Sequence, residues 1–431
     1  MNPNPAIMKS VEKLDYRVTV GDVASESGLS VALAQQELLA LASEAGGHLQ
    51  VAETGDMVYA FPNDFRTILR NRYWKLRAKQ WLSKVWEVVF YLIRISFGIL
   101  LVASIIILAV AIAVIVIALS ASRGDNNNRS SNSRGGGGMM FMPNFWLMPN
   151  PFSIFSPRYH RNNYYYQQYN RGNIPQQPKQ KSELNFLESI YSFLFGDGNP
   201  NPNLEERRWQ EIAAVIQNNQ GAVIAEQVAP YLDNINIYNE RDEDYMLPVL
   251  TRFNGYPEVS ETGNIIYYFP ELQVKANVKE KSSISPYLEE NKWQFSIATS
   301  SQKIMAIALG GIYFILVLVF YSLAQQDITT LSPDLLYFID FVRFIYPILF
   351  GYSVAYLVVP LIRYFWLQNR NEKIVNRNNN REQRANLLIE NKQELQPKIN
   401  YARQFAQQKI LSEDNMIYST DKDMLDNLLG D

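Results

Sequence analysis

The sequence contains no cysteine and only two histidines, His48 and His160. The first absence excludes disulfides, thiolate nucleophiles, Cys-ligated zinc and cysteine-held iron–sulfur clusters. The second leaves too few nitrogen ligands for a transition-metal site. No nucleophile–base constellation stands out either, so the chain is expected not to be an enzyme and to have no catalytic, cofactor or metal site. At its start, Met1-Asn2-Pro3-Asn4-Pro5 lacks the basic-then-apolar pattern of a secretory signal. The chain is therefore expected to keep this segment and to enter a membrane by internal runs.

Positive charge is missing from one long stretch. Between Val18 and Phe61 there is no Lys or Arg, while Asp22, Glu26, Glu37, Glu44, Glu53 and Asp56 are acidic. The pattern there is that of a winged helix: a strand at Tyr16–Val20, a helix closed by Gly28, and a second helix capped by Ser30. That second helix carries Val31, Ala34, Leu38 and Leu41 inward before Gly46-Gly47 stops it. Binding the phosphate backbone requires cations, because counterion release supplies much of the affinity. No nucleic-acid partner is expected on that ground, and a protein partner is.

The wing of this module occurs twice. Val51-Ala52-Glu53-Thr54-Gly55-Asp56-Met57-Val58-Tyr59-Ala60-Phe61-Pro62 returns 208 residues later as Val259-Ser260-Glu261-Thr262-Gly263-Asn264-Ile265-Ile266-Tyr267-Tyr268-Phe269-Pro270. Seven of the twelve positions are identical, and each copy reads as two strands about a Thr-Gly-Asp/Asn turn. Before the second hairpin, Leu204–Asn218 reads as a helix, Val223–Ala229 echoes Val18–Ala24, and Asp244–Phe253 takes the place of the recognition helix. Glu240, Asp242, Glu243 and Asp244 crowd its start, suiting helix capping and not DNA.

After the first wing the charge inverts. Arg66, Arg70, Arg72, Lys75, Arg77, Lys79 and Lys84 alternate with Tyr73, Trp74, Trp81 and Trp86, the composition of a helix resting on anionic lipid headgroups. Ile95–Leu119 follows, 25 residues without a charge, enough to cross a bilayer. The apolar region from Val85 to Ala121 admits two readings, one long helix or two short passes bent near Ser96-Phe97-Gly98. Residues 122–181 are low-complexity linker, interrupted by Met139–Pro149, which is too short and proline-broken to span. That stretch suits either a dip into the interface or the cover of an apolar patch.

Ser182 reads as the cap of an amphipathic helix to Phe195, and 271–303 as a connector with a short helix from Tyr287 to Phe295. Ile304–Ala324 and Leu335–Leu367 form a helical hairpin about a loop without Lys or Arg. Within the second span lie Asp340 and Arg343, which are either functional intramembrane charges or a self-neutralising pair. Arg370, Lys373, Arg377, Arg381 and Arg384 then place the C-terminal end on the cytoplasmic side by the positive-inside rule. The tail, 373–411, reads as a polar helix broken at Pro397, either solvated or docked on a winged-helix module. Either the first apolar region doubles back, which puts both modules on the cytoplasmic side and is the favoured reading, or the second module lies across the membrane.

The fold class is thus an α+β membrane protein with two winged-helix-like modules, each followed by transmembrane helices. Its segments are 1–64 module, 65–121 basic helix and span, 122–181 linker, 182–270 second module, 271–303 connector, 304–367 hairpin and 368–431 tail. Phe193-Leu194-Phe195-Gly196-Asp197-Gly198-Asn199-Pro200-Asn201, Leu247-Pro248-Val249-Leu250-Thr251-Arg252-Phe253, Pro360-Leu361-Ile362-Arg363 and Ser419-Thr420-Asp421-Lys422-Asp423-Met424 resemble segments of a membrane-protein family of cyanobacteria and chloroplasts. The resemblance covers most of the chain from Phe65 on. It implies a cyanobacterial source and a thylakoid or plasma membrane. Plant members are sometimes labelled iron–sulfur cluster biosynthesis proteins, which implies an accessory role in that process as one alternative. The residues themselves favour a protein-binding scaffold or assembly factor at the cytoplasmic membrane surface, in contact with lipids and able to form homo-oligomers. A transporter or channel using Asp340 and Arg343 is the competing reading, and a membrane-tethered DNA regulator the third.

Overall fold

A computed structural model describes residues 4–72, 74–123, 185–233, 235, 243–277, 283–326, 332–412 and 416–420, with the side chains of 70–80 and 121–123 left aside. The linker from 124 to 181, the cap expected at Ser182 and the loop residues 327–331 lie outside these. The described residues are helix-rich with three small sheets. In order it runs α1 (Pro5–Lys13), β1 (Arg17–Val18), α2 (Val20–Ser27), α3 (Val31–Ala45), β2 (His48–Ala52), β3 (Met57–Ala60), α4 (Phe65–Arg72) and α5 (Trp74–Arg123). Next come α6 (Phe186–Phe195), α7 (Leu204–Asn218), β4 (Ala222–Val223), α8 (Ala225–Val228), α9 (Leu247–Phe253), β5 (Tyr256–Val259), β6 (Ile265–Tyr268), α10 (Pro270–Gln273) and β7 (Val274–Lys275). The last are α11 (Ser300–Ala324), α12 (Pro333–Glu390), α13 (Lys392–Gln404), β8 (Lys409–Ile410) and β9 (Met416–Ser419). Two compact units form, one from Met1–Ser83, Asn199–Lys292 and Arg370–Asp431, the other from Lys84–Gly198 and Trp293–Asn369.

In the first unit, local chemistry sets the helix ends. The Ser30 hydroxyl accepts from Leu33 N–H, and Gly46 ends α3 in the left-handed region at φ 70°. Thr19 and Asp22 close a capping box on α2, satisfying two otherwise orphan N–H groups. Both Thr-Gly hairpins are formed, and they share a register. Leu49 faces Tyr59 as Pro257 faces Tyr267, with strand orders β1-β3-β2 and β4-β6-β5. One hydrophobic core takes residues from both halves, including Val11, Leu38 and Phe65 from the first and Ile216, Phe253 and Phe269 from the second.

The segment expected to start the membrane-surface helix begins inside this core. Phe65 and Leu69 of α4 are fully buried there, so the module extends past residue 64. Two further expectations fail. Residues 287–295 are not helical, because other elements take their backbone groups: Leu288 N–H donates to Pro230 O, Leu288 O accepts from Arg381, and Glu290 N–H donates to Asn378 Oδ1. The tail breaks at Asn391, not at Pro397, which lies within α13.

The second unit holds the apolar helices. Among the described residues, three helices are long and apolar enough to cross a membrane: Trp81–Ser120, Ser300–Ala324 and Pro333–Glu390. The first is continuous through Ser96-Phe97-Gly98, so the bent alternative does not occur. Tyrosine hydroxyls tie the bundle, Tyr313 donating to Leu349 O, Tyr356 to Ala306 O and Tyr352 to Phe97 O. The short α6 lies on α5 where Gly98 leaves room; a Cβ there would meet the Leu187 backbone at 2.9 Å. Gly98→Leu is expected to push α6 off. Alkylation of a cysteine placed at the buried Ser189 should then rise severalfold over the same cysteine beside Gly98.

Candidate docking surface and the charged clusters

The α3 helix is the one that the sequence pattern puts in the place of a recognition helix. Its inward residues Val31, Ala34, Leu38 and Leu41 are buried, which leaves Ala32, Leu33, Gln35, Gln36, Leu39 and Ser43 outward. None of these six is charged, Leu39 stands 59% exposed, and Glu37 and Glu44 are half-buried on the same helix. Much of the acidic charge of the first half is used internally. Asp22 accepts from Thr19 N–H and Ala276 N–H, Glu26 pairs with Lys13, and Asp56 accepts from Thr54 Oγ1. The fully exposed part of α3 is therefore neutral, two leucines among Gln35, Gln36 and Ser43, where the sequence suggested an acidic surface.

The corresponding α9 helix is short, and its one basic residue turns inward. Arg252 donates twice to the carbonyl of Gly28, at 2.9 and 2.6 Å, and lies 4.4 Å over the Trp209 ring. It thereby caps the end of α2, where Gly28 takes φ 71°.

The C-terminal part of α12 carries the largest charge cluster of the first unit. Arg381 is fully buried and donates to Asp233 Oδ1 and Oδ2 at 2.9 Å each, to Glu290 Oε1 at 2.8 Å and to Leu288 O at 2.8 Å. Arg377 forks onto both oxygens of Glu290, at 2.8 and 2.6 Å, and Arg384 reaches the carbonyls of Ala229 and Leu232. Burial pushes the Glu290 carboxyl up, but the Arg377 bonds and the Arg381 charge overrule it and hold it below the usual carboxylate range. Three of the residues whose charge was used to orient the chain by the positive-inside rule are thus turned into the protein. Their spacing of four and three, which puts them on one helix face, was the available signal.

α13 docks on the second half of the repeat through Lys398, which reaches Glu226 of α8 at 2.8 and 2.9 Å and Glu243 at 2.8 Å, while Tyr267 of β6 donates to Glu243 at 2.7 Å. Of the two readings of the tail, docking is the one observed. A cavity of about 230 Å³ opens between α1, α2 and α7, lined by Lys13, Asp22, Glu26 and Glu211 among others. Burial raises the Glu211 carboxyl against the opposing charges of Arg207 and Arg381.

The sequence-selected charges do not come together in one place. Asp340 and Arg343 pair with each other at 3.1 Å on α12, and Arg343 also donates to Ala324 O at the end of α11. Arg66 pairs with Glu12 of α1, within the first unit. The side chains of Arg70, Arg72, Lys75, Arg77 and Lys79 lie outside the described residues. Among the described residues, no group of three or more His, Asp or Glu side chains could hold a metal ion. In the second unit, Arg363 donates to the carbonyls of Ser192, Phe193 and Phe295, capping α6 beside Gly196.

No family model and no solved structure matches the chain. An uncharacterized chloroplastic protein of Arabidopsis thaliana is 37% identical over 435 residues, covering 97% of this chain and 79% of the relative. At that identity and coverage, the chain belongs to the same family as this chloroplastic protein.

Proposed function

We propose that this is a non-enzymatic integral membrane protein whose two winged-helix-like modules, related by duplication, form one protein-docking head. It works as a scaffold or assembly factor at the surface of a thylakoid or plasma membrane. The observation that carries this reading is the outward face of α3, apolar at Leu33 and Leu39 and free of any cation. Such a surface suits a partner protein with an apolar face and disfavours a phosphate backbone. The shared core of the two halves supports a single head. The absence of cysteine fits an accessory role in iron–sulfur biogenesis only through a partner that holds the cluster itself. The transporter reading has less behind it, since Asp340 and Arg343 neutralise each other and Arg343 also serves as a helix cap.

The test is a photo-crosslinking amino acid at Leu39 in native membranes. A discrete protein adduct is expected, reduced roughly tenfold by Leu33→Glu, which places a charge in a desolvated contact. Adducts to lipid alone, or adducts indifferent to Leu33→Glu, would remove the docking role from α3. The purified chain should also show no salt-dependent DNA binding, measured by anisotropy across a salt series.

A further inference from the structure

Arg343 and Arg363, in the apolar helices of the second unit, each find acceptors within it. Arg343 pairs with Asp340, and Arg363 caps α6. Arg94 of α5 does not. Its Nε is fully buried without a hydrogen-bond partner, and among the described residues no carboxylate or carbonyl accepts from its Nη groups. The guanidinium lies instead 5.2 Å from the centre of the Phe90 ring and 5.8 Å from that of Tyr191 on α6, two rings that meet edge to face at 6.1 Å. Aromatic rings hold a guanidinium by its faces and leave its N–H edge free. With Nε buried, that free edge is the one formed by the two Nη groups. The Tyr191 hydroxyl, too, has no hydrogen-bond partner among the described residues.

Arg94 is the last charge before the uncharged run Ile95–Leu119. At about 1.5 Å per residue that run is longer than the roughly 30 Å of bilayer hydrocarbon, so the guanidinium stands at the border where lipid headgroups begin. A cation without an acceptor at that depth is costly. The acceptor a bilayer offers there is a lipid phosphate, and a guanidinium forks onto two of its oxygens. From Arg66 to Arg94 the sequence holds eight Lys or Arg and one acid, Glu87, which lies about two helical turns before Arg94. That excess favours a headgroup of net negative charge over a zwitterionic one. The geometry points to a binding site for the phosphate of one anionic lipid, held by the Arg94 Nη groups and the Tyr191 hydroxyl where α6 lies on α5. This inference rests on the second unit being embedded in a membrane and does not depend on the α3 surface.

The test titrates the full-length chain in detergent with phosphatidylglycerol or phosphatidylcholine and counts bound lipid by native mass spectrometry. One phosphatidylglycerol per chain is expected to stay bound under conditions that strip phosphatidylcholine. Arg94→Gln should lower its affinity roughly tenfold, the loss of a charge-assisted contact, and Arg94→Lys severalfold, because an ammonium keeps the charge but cannot fork. Tyr191→Phe keeps the ring and should lower it about threefold, so the site stays testable even where Arg94→Gln does not fold. Lys303→Gln removes a cation from the border of another span, before Ile304, and should leave the affinity unchanged. Unchanged binding in Arg94→Gln or Tyr191→Phe, an equal loss in Lys303→Gln, or equal retention of phosphatidylcholine would overturn the site. Inorganic phosphate in large excess should not displace the lipid; displacement would make this a site for free phosphate and overturn the lipid. Release of the wild-type chain from membranes by alkaline carbonate is a separate failure, which would overturn the membrane reading and the site with it.

Discussion

Arg381→Met is expected to destabilise the first unit by about 3–5 kcal/mol, because it leaves two carboxylates at a buried site without their common partner. Glu290 is 4% exposed at its side chain and Asp233 25%, so water cannot fully replace the guanidinium. The Leu288 carbonyl loses its donor in the same step. Urea unfolding of the full chain in detergent, followed by tryptophan fluorescence, gives the change. The triple variant Asp233→Asn, Glu290→Gln, Arg381→Met should recover only part of it, since it neutralises the stranded carboxylates but takes from Arg377 and Arg208 their ion partners Glu290 and Asp233. If Arg381→Met alone is neutral, the cluster contributes nothing to the fold.

The same cluster sets a pH dependence. Glu290 has a folded pKa below its unfolded value, so its stabilisation is present above the unfolded carboxylate pKa of about 4.3 and is lost as pH falls through the folded value. Glu211 acts in the opposite sense, because burial raises its pKa and its contribution is lost as pH rises through the folded value. Glu290→Gln should therefore flatten the acid limb of the stability curve below about pH 4 and leave the Glu211 limb in place.

What the sequence disclosed follows from how local each signal is. The bounds of α3 were legible because Ser30 and Gly46 act within one turn of the helix they close. Both hairpins were legible from their Thr-Gly turns, and the apolar helices from run length alone. The α1 helix also had a local signal, the Asn4 side chain accepting from Ala6 N–H with Pro5 at the first position, but no long periodic run drew attention to it. The exposed face of α3 was implied once Val31, Ala34, Leu38 and Leu41 were placed inward. Leu33 and Leu39 then had to point out, although the acidic residues around them suggested a charged surface. The remainder depends on distant partners. Nothing near Leu49 announces Thr420, and nothing near Arg381 announces Asp233 or Glu290, because those contacts close loops of 371, 148 and 91 residues. The short helix expected at 287–295 fails for the same reason: its backbone bonds go to residues far away in sequence.

Gly21 sets two physical effects against each other, and their magnitudes decide the result. It occupies the second position of α2, where alanine is favoured over glycine by up to about 1 kcal/mol of helix propensity. A Cβ at that position, however, would overlap the carbonyl oxygen of Glu271 and stand 2.8 Å from its carbonyl carbon. Both are backbone atoms of α10, so no rotamer change relieves the overlap, and the element itself must move. That movement strains the bond from Ala276 N–H to Asp22 and the bond from Thr19 Oγ1 to Val274 O. It also disturbs the β7–β8 pairing and the bonds of Arg17 to Ala276 O and Leu411 O. Overpacking against backbone costs about 3 kcal/mol or somewhat less, which exceeds the propensity gain. Gly21→Ala is therefore expected to lower stability by about 2 kcal/mol net. Amide exchange at Ala276 and Leu411 should accelerate with it. Gly46→Ala is the comparison, because a Cβ there meets nothing within 4 Å and only the φ of 70° is strained. It should cost about 1 kcal/mol and leave exchange at Ala276 unaltered. An unchanged or raised stability in Gly21→Ala would mean that α2 and α10 are not in the close contact on which the joining of the two halves depends.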